Sequence, residues 1–477
     1  MPISTERTEG ASLEIARTWE TIRRAFAEFL TLPTLIIVGF LLLAVAMNAL
    51  ERAQLPSLAA LHATLERNVF ADAEATAGLL ETIAGSLVTV TSITISLLLL
   101  ALQQTASTLT AEVFDQFLRR RHNQFYFGFF IGVALYSLMT LATVNAPFNP
   151  VLAAFTALTL TVMALILLLI LLYTSINQMR PSVIIDAIHD YTLKARTEHL
   201  VIVERTRRAP QFSGEVRLPV TVDRDGYVTR IDVETIGCDA ACAAGRAEVV
   251  LRASHGSYLS TGDTLAEVVA DNQDDAERLV ATVLDAIRLE RQQDFATDPA
   301  NGIEELGTIG WTSISTSKSN PAPGLLAIRS LRDLLARWSL DEQSASDSES
   351  HVDQLPVVYT DTVMMVLMDT LESLAVASSE SMQHQSFTEV LRAFAALLGR
   401  VSSENQRAID NVILRILPAL GDHVLTTDLE RALTETQVAL RNIGNHETAT
   451  RVETACKRLA QTKGNLHSRS TRAMPPR

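Results

Sequence analysis

The sequence predicts an α-helical integral membrane domain of four transmembrane helices, followed by a mixed α+β cytoplasmic region with a small β barrel-sandwich-like unit and a helical C-terminal part. Three observations carry that expectation. Four long apolar stretches are confined to the first 175 residues, basic residues gather on alternate links between them, and the remaining chain changes period from helical to alternating and back. The stretches lie at Pro33–Leu50, Gly78–Leu102, Phe125–Val144 and Val151–Tyr173. Each is close to the roughly 20 apolar residues that an α-helix needs to cross the hydrocarbon core of a bilayer.

Orientation follows from the links. Arg17, Arg23 and Arg24 precede span one, Arg119, Arg120 and Arg121 lie between spans two and three, and Arg180, Lys194 and Arg196 follow span four. The other two links carry few basic residues. Positive residues mark the cytoplasmic side, so both termini are expected to be cytoplasmic and the membrane to be the plasma (inner) membrane. Nothing in the first thirty residues resembles a removable signal peptide, and the first span is expected to stay as an anchor.

Residues 1–32 should form a cytoplasmic amphipathic helix, because Ile15, Trp19, Ile22, Phe26 and Phe29 share one helical face opposite Arg17, Glu20, Arg24 and Glu28. That face lies in the membrane interface or packs on the soluble region.

Inside the spans, at 33–175, no Asp, Glu, Lys, Arg or His occupies a middle position, so the marks of a proton relay or voltage sensor are missing. Span two carries Gly85, Thr89, Ser92, Ser96 and Gln103 along one side. Such a stripe serves helix packing, with hydroxyls bonding the carbonyl four residues back, or it lines a pore in an assembly of copies. Gly128 and Gly132 of span three form a G-x-x-x-G pair with Tyr136 one turn on, and read as a contact face. Between these spans, Phe114 and Phe117 form an apolar edge beside Arg119, Arg120 and Arg121; the link either couples the soluble region to the spans or anchors lipid headgroups.

The run Ala101-Leu-Gln-Gln-Thr-Ala-Ser, then Phe114-Asp-Gln-Phe-Leu-Arg-Arg-Arg-His-Asn-Gln124, then Phe125-Tyr-Phe-Gly-Phe-Phe-Ile-Gly-Val-Ala-Leu-Tyr136 resembles the predicted bacterial membrane proteins grouped as domain-of-unknown-function family 2254. The likeness covers most of the chain. This chain reads as a divergent member: where the family has an S-P-R triplet and an R-D-R element, it has Thr110-Ala111-Glu112 and Arg119-Arg120-Arg121. Membership implies the membrane topology and no known activity.

Beyond the spans, residues 176–275 should hold a juxtamembrane helix and a small β unit, since Leu218–Asp232 and Ala247–Val268 alternate apolar and polar residues around Gly-containing turns. Gly256-Ser-Tyr-Leu-Ser-Thr-Gly-Asp-Thr-Leu-Ala-Glu-Val resembles half of a lipoyl-like barrel-sandwich. No lysine lies between Lys194 and Lys318, so the unit is expected to be a structural or docking module rather than to carry an acyl group. Helices are expected at 276–293, 303–314 and 325–340, then an acidic, serine-rich linker at 341–354. A C-terminal helical domain at 355–462, with a helix starting near Thr426, and a disordered basic tail at 463–477 complete the chain.

Chemistry is sparse. The net charge of −14 argues against a nucleic-acid partner, and three cysteines exclude a disulfide framework. Cys238 and Cys242 lack a second close pair of metal ligands and read as thiols one turn apart on a helix. His255 reads as a surface residue in a turn, and Asp361, Asp369 and Glu372 as solvated carboxylates on one helix face. No catalytic, cofactor or metal residue is expected. The functional expectation is a non-enzymatic multi-pass protein bound to the lipid bilayer, associating with copies of itself and carrying a cytoplasmic regulatory or interaction domain for a protein partner. A passive channel is its sharper version. The alternative is a membrane-anchored enzyme with an unrecognised cytoplasmic active site.

Overall fold

The computed structural model describes residues 30–53, 56, 59–108, 121–145, 148–178, 180–291, 293, 297–315, 320–347, 354–421 and 423–461. The chain divides into two compact units, Met1–Arg180 and Pro181–Arg477.

In the first unit, long apolar runs fold as helices because a bilayer leaves no other partner for backbone polar groups. They are α1 (Thr31–Arg52), α3 (Ala73–Thr108), α4 (Arg121–Leu141) and α5 (Val151–Gln178), each long and apolar enough to cross a membrane. A short helix, α2 (Ala59–Asn68), occupies the link between α1 and α3. At 36 residues α3 extends about 54 Å, well beyond a hydrocarbon core of about 30 Å. The centre of the unit is α4, which packs on α1, α3 and α5 through Phe129, Phe130, Val133, Ala134 and the fully buried Tyr136. Phe129 meets Phe40 of α1 edge to face, ring centroids 5.3 Å apart.

The second unit opens with α6 (Pro181–Arg205). The strands are β1 (Val216–Thr221), β2 (Gly226–Ile231), β3 (Ala247–Leu251), β4 (Tyr258–Leu259), β5 (Thr264–Ala270) and β6 (Ile287–Glu290), with α7 (Val233–Ala241) and α8 (Gln273–Ala286) between them. Two helices, α9 (Pro299–Ser315) and α10 (Ala322–Asp347), come next. A last two-residue strand, β7 (Val357–Val358), then precedes α11 (Val363–Glu380), α12 (His384–Leu397), α13 (Ser403–Ile416), α14 (Thr427–Asn442) and α15 (His446–Gln461). The strands make two small sheets, ordered β1-β5-β3-β7 and β4-β2-β6. The first is mixed, because β7 joins β3 in parallel with Val250 opposite Val358. Val220, Val249, Val268 and Ile236 share one core with Leu279 of α8. Two sheets over a common core are what the alternating pattern produced; a barrel-sandwich is finer than this arrangement.

Three expectations change in this unit. The helix expected over 276–293 stops at Ala286, because Ile287 turns extended to pair with Ile231 and the chain becomes β6. The acidic run from Asp341, read as a linker, continues α10 as far as Asp347. The helical domain expected at 355–462 opens with strand β7, and so shares a sheet with the β unit. Long-range strand pairing overrides local helical period in the first and last of these. The start of α14 is as expected, with Thr426 Oγ1 accepting the Leu429 N–H at 3.2 Å.

Candidate functional site

The side chain of span two that drew attention faces away from the bundle. Leu80, Ile83, Ala84 and Leu87 of α3 are buried, whereas Gly78, Thr82, Gly85, Thr89, Ser92 and Ser96, recurring at helical spacing, are exposed. A Cβ added at Gly85 would meet nothing within 4 Å. Three of the hydroxyls bond within the helix, Thr82 donating to the Gly78 carbonyl at 2.8 Å, Thr89 to that of Gly85 at 2.8 Å and Ser96 to that of Ser92 at 2.9 Å. Gln103 falls on α3, and Arg121 begins α4. Phe114, Phe117, Arg119 and Arg120 lie outside the described residues.

The G-x-x-x-G pair is used inside the chain. A Cβ on Gly128 would stand 2.8 Å from Pro33 Cα, and one on Gly132 would run into the Phe40 ring, so both glycines let α1 approach α4. Tyr136, one turn on, donates its hydroxyl to the Ala153 carbonyl of α5 at 3.1 Å. This face therefore closes the bundle rather than offering a surface to a neighbour.

Glu51, in the last turn of α1, is buried. Its carboxylate accepts the Leu152 N–H at 3.1 Å and the Ala153 N–H at 3.3 Å, which seats an anion on the N-terminus of α5. His62 of α2 approaches the same carboxylate at 3.2 Å. A span ending in Glu beside the start of another helix was the available signal, and the pairing is visible only once α1 and α5 are neighbours.

In the second unit a buried polar cluster joins α6, the β3–β4 turn and the segment after β7. Arg196 is 4% exposed; it donates to Asp361 Oδ2 at 2.7 Å and to His199 Nδ1 at 3.0 Å, and its guanidinium carbon lies 5.4 Å from the Trp338 ring centroid. Arginine only donates, so Nδ1 of His199 is bare and its Nε2–H donates to the Tyr359 hydroxyl, 2.8 Å away. The His255 N–H donates to that hydroxyl too, at 3.2 Å. Burial pushes His199 down to about 4; Arg196 and His255 push the same way and Asp361 opposes them. Burial likewise raises the Tyr359 hydroxyl to about 12. For Asp361 burial disfavours the charge, but the hydrogen bond and charge of Arg196 outweigh it and hold the carboxyl below its ordinary range.

His255 is thus a buried residue, not a surface one, with Nε2 on the Thr229 carbonyl at 2.9 Å. Asp361 precedes α11 instead of sharing its face, and Glu372 pairs with Arg415. Arg196, Asp361, His199 and Tyr359 are linked to one another by hydrogen bonds, which makes the cluster a joint. Arg196 and His199 are three apart on one helix, but nothing local announces Asp361 or Tyr359 as their partners.

Elsewhere, Cys238 and Cys242 are exposed one turn apart on α7. Among the described residues no three His, Cys, Asp or Glu side chains gather as metal ligands. His423 Nδ1 lies 2.9 Å from His384 Nδ1, and its Nε2 lies 3.0 Å from Ser379 Oγ. Since Ser379 donates to the Ala419 carbonyl, it accepts from the imidazole and is not activated as a nucleophile. An open cleft of about 750 Å³ runs over Ala395 and Ala396 of α12, walled by Arg332 and by Arg431 and Val438 of α14; its Arg392 is already paired with Asp428.

A family model described as "Predicted membrane protein (DUF2254)" matches residues 27–392. No curated protein and no solved structure matches the chain. The match spans all four membrane-crossing helices, both sheets and the helices through most of α12, so the chain belongs to this family of membrane proteins, domain-of-unknown-function family 2254.

Proposed function

We propose that this protein is a non-enzymatic, multi-pass protein of the plasma (inner) membrane that associates with copies of itself, with both termini and the second unit in the cytoplasm. The second unit is its regulatory or interaction domain, and its small β unit a docking module. One observation carries self-association: the row Gly78, Thr82, Gly85, Thr89, Ser92 and Ser96 is exposed on a membrane-crossing helix, and among the described residues a Cβ added at Gly78 or Gly85 would meet nothing within 4 Å. Small residues with internally satisfied hydroxyls let helix backbones approach closely, and packing drives association where lipid supplies no hydrophobic force. The arginines flanking α1, α4 and α5 support the orientation.

The test is disulfide crosslinking of Ser92→Cys and Thr89→Cys in native membranes. Crosslinked dimer or higher species at these positions, absent for a cysteine at Leu169 on the lipid-like face of α5, is the expected result. Monomer alone at every protein density overturns the reading. Within this class a passive channel is the sharper form. Ser92→Leu or Ser96→Leu should then change ion flux in liposomes without loss of folded protein, and assembly without any flux restricts the role to assembly.

A further inference from the structure

We propose that Cys238 and Cys242 together bind one soft ion that takes two sulfur ligands in line, Cu(I) above all. The proposal is independent of self-association. Both thiols are exposed at the end of α7, and the Cys242 N–H donates to the Cys238 carbonyl at 3.0 Å, so one closed helical turn separates them. Residues four apart on a helix share a face, with Cβ atoms about 5–6 Å apart. A disulfide requires about 3.5–4.5 Å between the same atoms, so this turn must open before the sulfurs can bond to each other. A bridging metal ion spans further: two metal–sulfur bonds of about 2.3 Å set the sulfurs roughly 4.6 Å apart. Each sulfur lies at the end of a single rotatable bond, which puts that separation within reach of the intact turn.

The turn is held in place from behind. Asp232 caps α7, its Oδ1 accepting the Thr235 N–H at 3.1 Å, while Ile236 and Ala240 are buried in the core of the β unit. A Cβ on Gly237 would stand 2.7 Å from the Leu355 side chain, so this side of the helix is close-packed. The thiols therefore stand on a fixed platform, and little ordering is left for an ion to impose.

The surroundings select for softness. An ion that needs three or four protein ligands finds no such group among the described residues. The carboxylates nearest in the chain are engaged elsewhere: Asp239 accepts the Thr282 hydroxyl at 2.6 Å and faces Arg278, and Glu234 pairs with Arg205. Ala241, Ala243 and Ala244 flank the thiols and offer no side-chain ligand. Two sulfurs alone suit Cu(I), which soft thiolates select and harder divalent ions do not match. Binding forms two Cu–S bonds and releases both thiol protons to solvent, with no change of oxidation state.

Anaerobic competition for Cu(I) between the reduced full-length protein in detergent and the chelator bicinchoninate tests this. One ion per chain should pass to the protein, and X-ray absorption at the copper edge should show two sulfur neighbours. Cys238→Ser and Cys242→Ser should each weaken binding about a hundredfold or more, because a second ligand held beside the first acts at high effective concentration. Cys456→Ser should change nothing. Failure of the wild-type protein to take the ion, retention of half its capacity by each serine variant, or nitrogen neighbours at the copper overturns the proposal. If a serine variant does not fold, the wild-type protein serves: bound Cu(I) should shield Cys238 and Cys242 together from maleimide and leave Cys456 as reactive as before. Shielding of one of the pair without the other counts equally against it.

Discussion

Acidification should loosen the second unit through His199, and the size of the effect follows from its surroundings. The imidazole is 3% exposed and burial holds it down to about 4, against 6.5 for the free side chain. A group whose folded value is depressed in this way binds fewer protons folded than unfolded once the pH drops below 6.5. Stability therefore falls with pH through that window and levels off below about 4. At about 1.4 kcal/mol per unit the full loss is on the order of 3 kcal/mol, most of it reached by pH 4.5. Asp361 adds a loss of the same sign, but only as the pH falls below its ordinary carboxyl range. The assay is chemical denaturation of the full-length protein in detergent at pH 7, 5.5 and 4.5, read by hydrogen exchange of α6. His199→Gln keeps an acceptor for Arg196 and a donor for Tyr359, so it should lose little at pH 7 and flatten the slope between pH 7 and 4.5. Equal slopes in the two proteins would refute the argument.

Other substitutions separate internal packing from surface. Gly132→Ala drives a Cβ into the Phe40 ring and should cost about 1–3 kcal/mol, whereas Gly85→Ala meets nothing and should leave the melting temperature unchanged. Glu51→Ala strips the acceptor from two α5 amides; a loss of about 1–3 kcal/mol and faster exchange at Leu152 and Ala153 are expected. Gly256 sits at φ +81 with the Asp298 carboxylate where a Cβ would go, so Gly256→Ala should cost about 2 kcal/mol or more in denaturation, and a neutral result would show that the turn relaxes freely.

The parts legible in the sequence were those set by local properties. A run of apolar residues long enough to span a bilayer needs no partner to be recognised: spans one, three and four fall close to their expected bounds, and span two, Ala73–Ser96, overlaps most of Gly78–Leu102. The period-two segments around Asp225-Gly226 and Gly262 announced strands for the same reason. Where the answer depends on a distant partner, the sequence was mute or misleading. Ile287 continues a helical period but answers to Ile231, and His255 looks like a turn residue until the Thr229 carbonyl and Tyr359 close around it. The two small-residue motifs of α3 and α4 looked alike in the sequence. Only the placement of Phe40 and Pro33 shows that one is consumed by the fold and the other is left facing out.

The parallel pairing of β7 with β3 makes the second unit a closed circuit. The chain leaves the sheets after β6, lays down α9 and α10, and returns to add Val357 and Val358 along β3, while the Arg207 N–H donates to the Val357 carbonyl. Truncation after α10 would leave the Val249–Val250 edge of β3 bare, an apolar template for pairing with any other chain. A fragment beginning at β7 would lack Arg196 and leave Asp361 without its partner. The acidic stretch before β7 is thus an unsuitable place to cut the protein, and two-piece expression split there should succeed only when both pieces are made together.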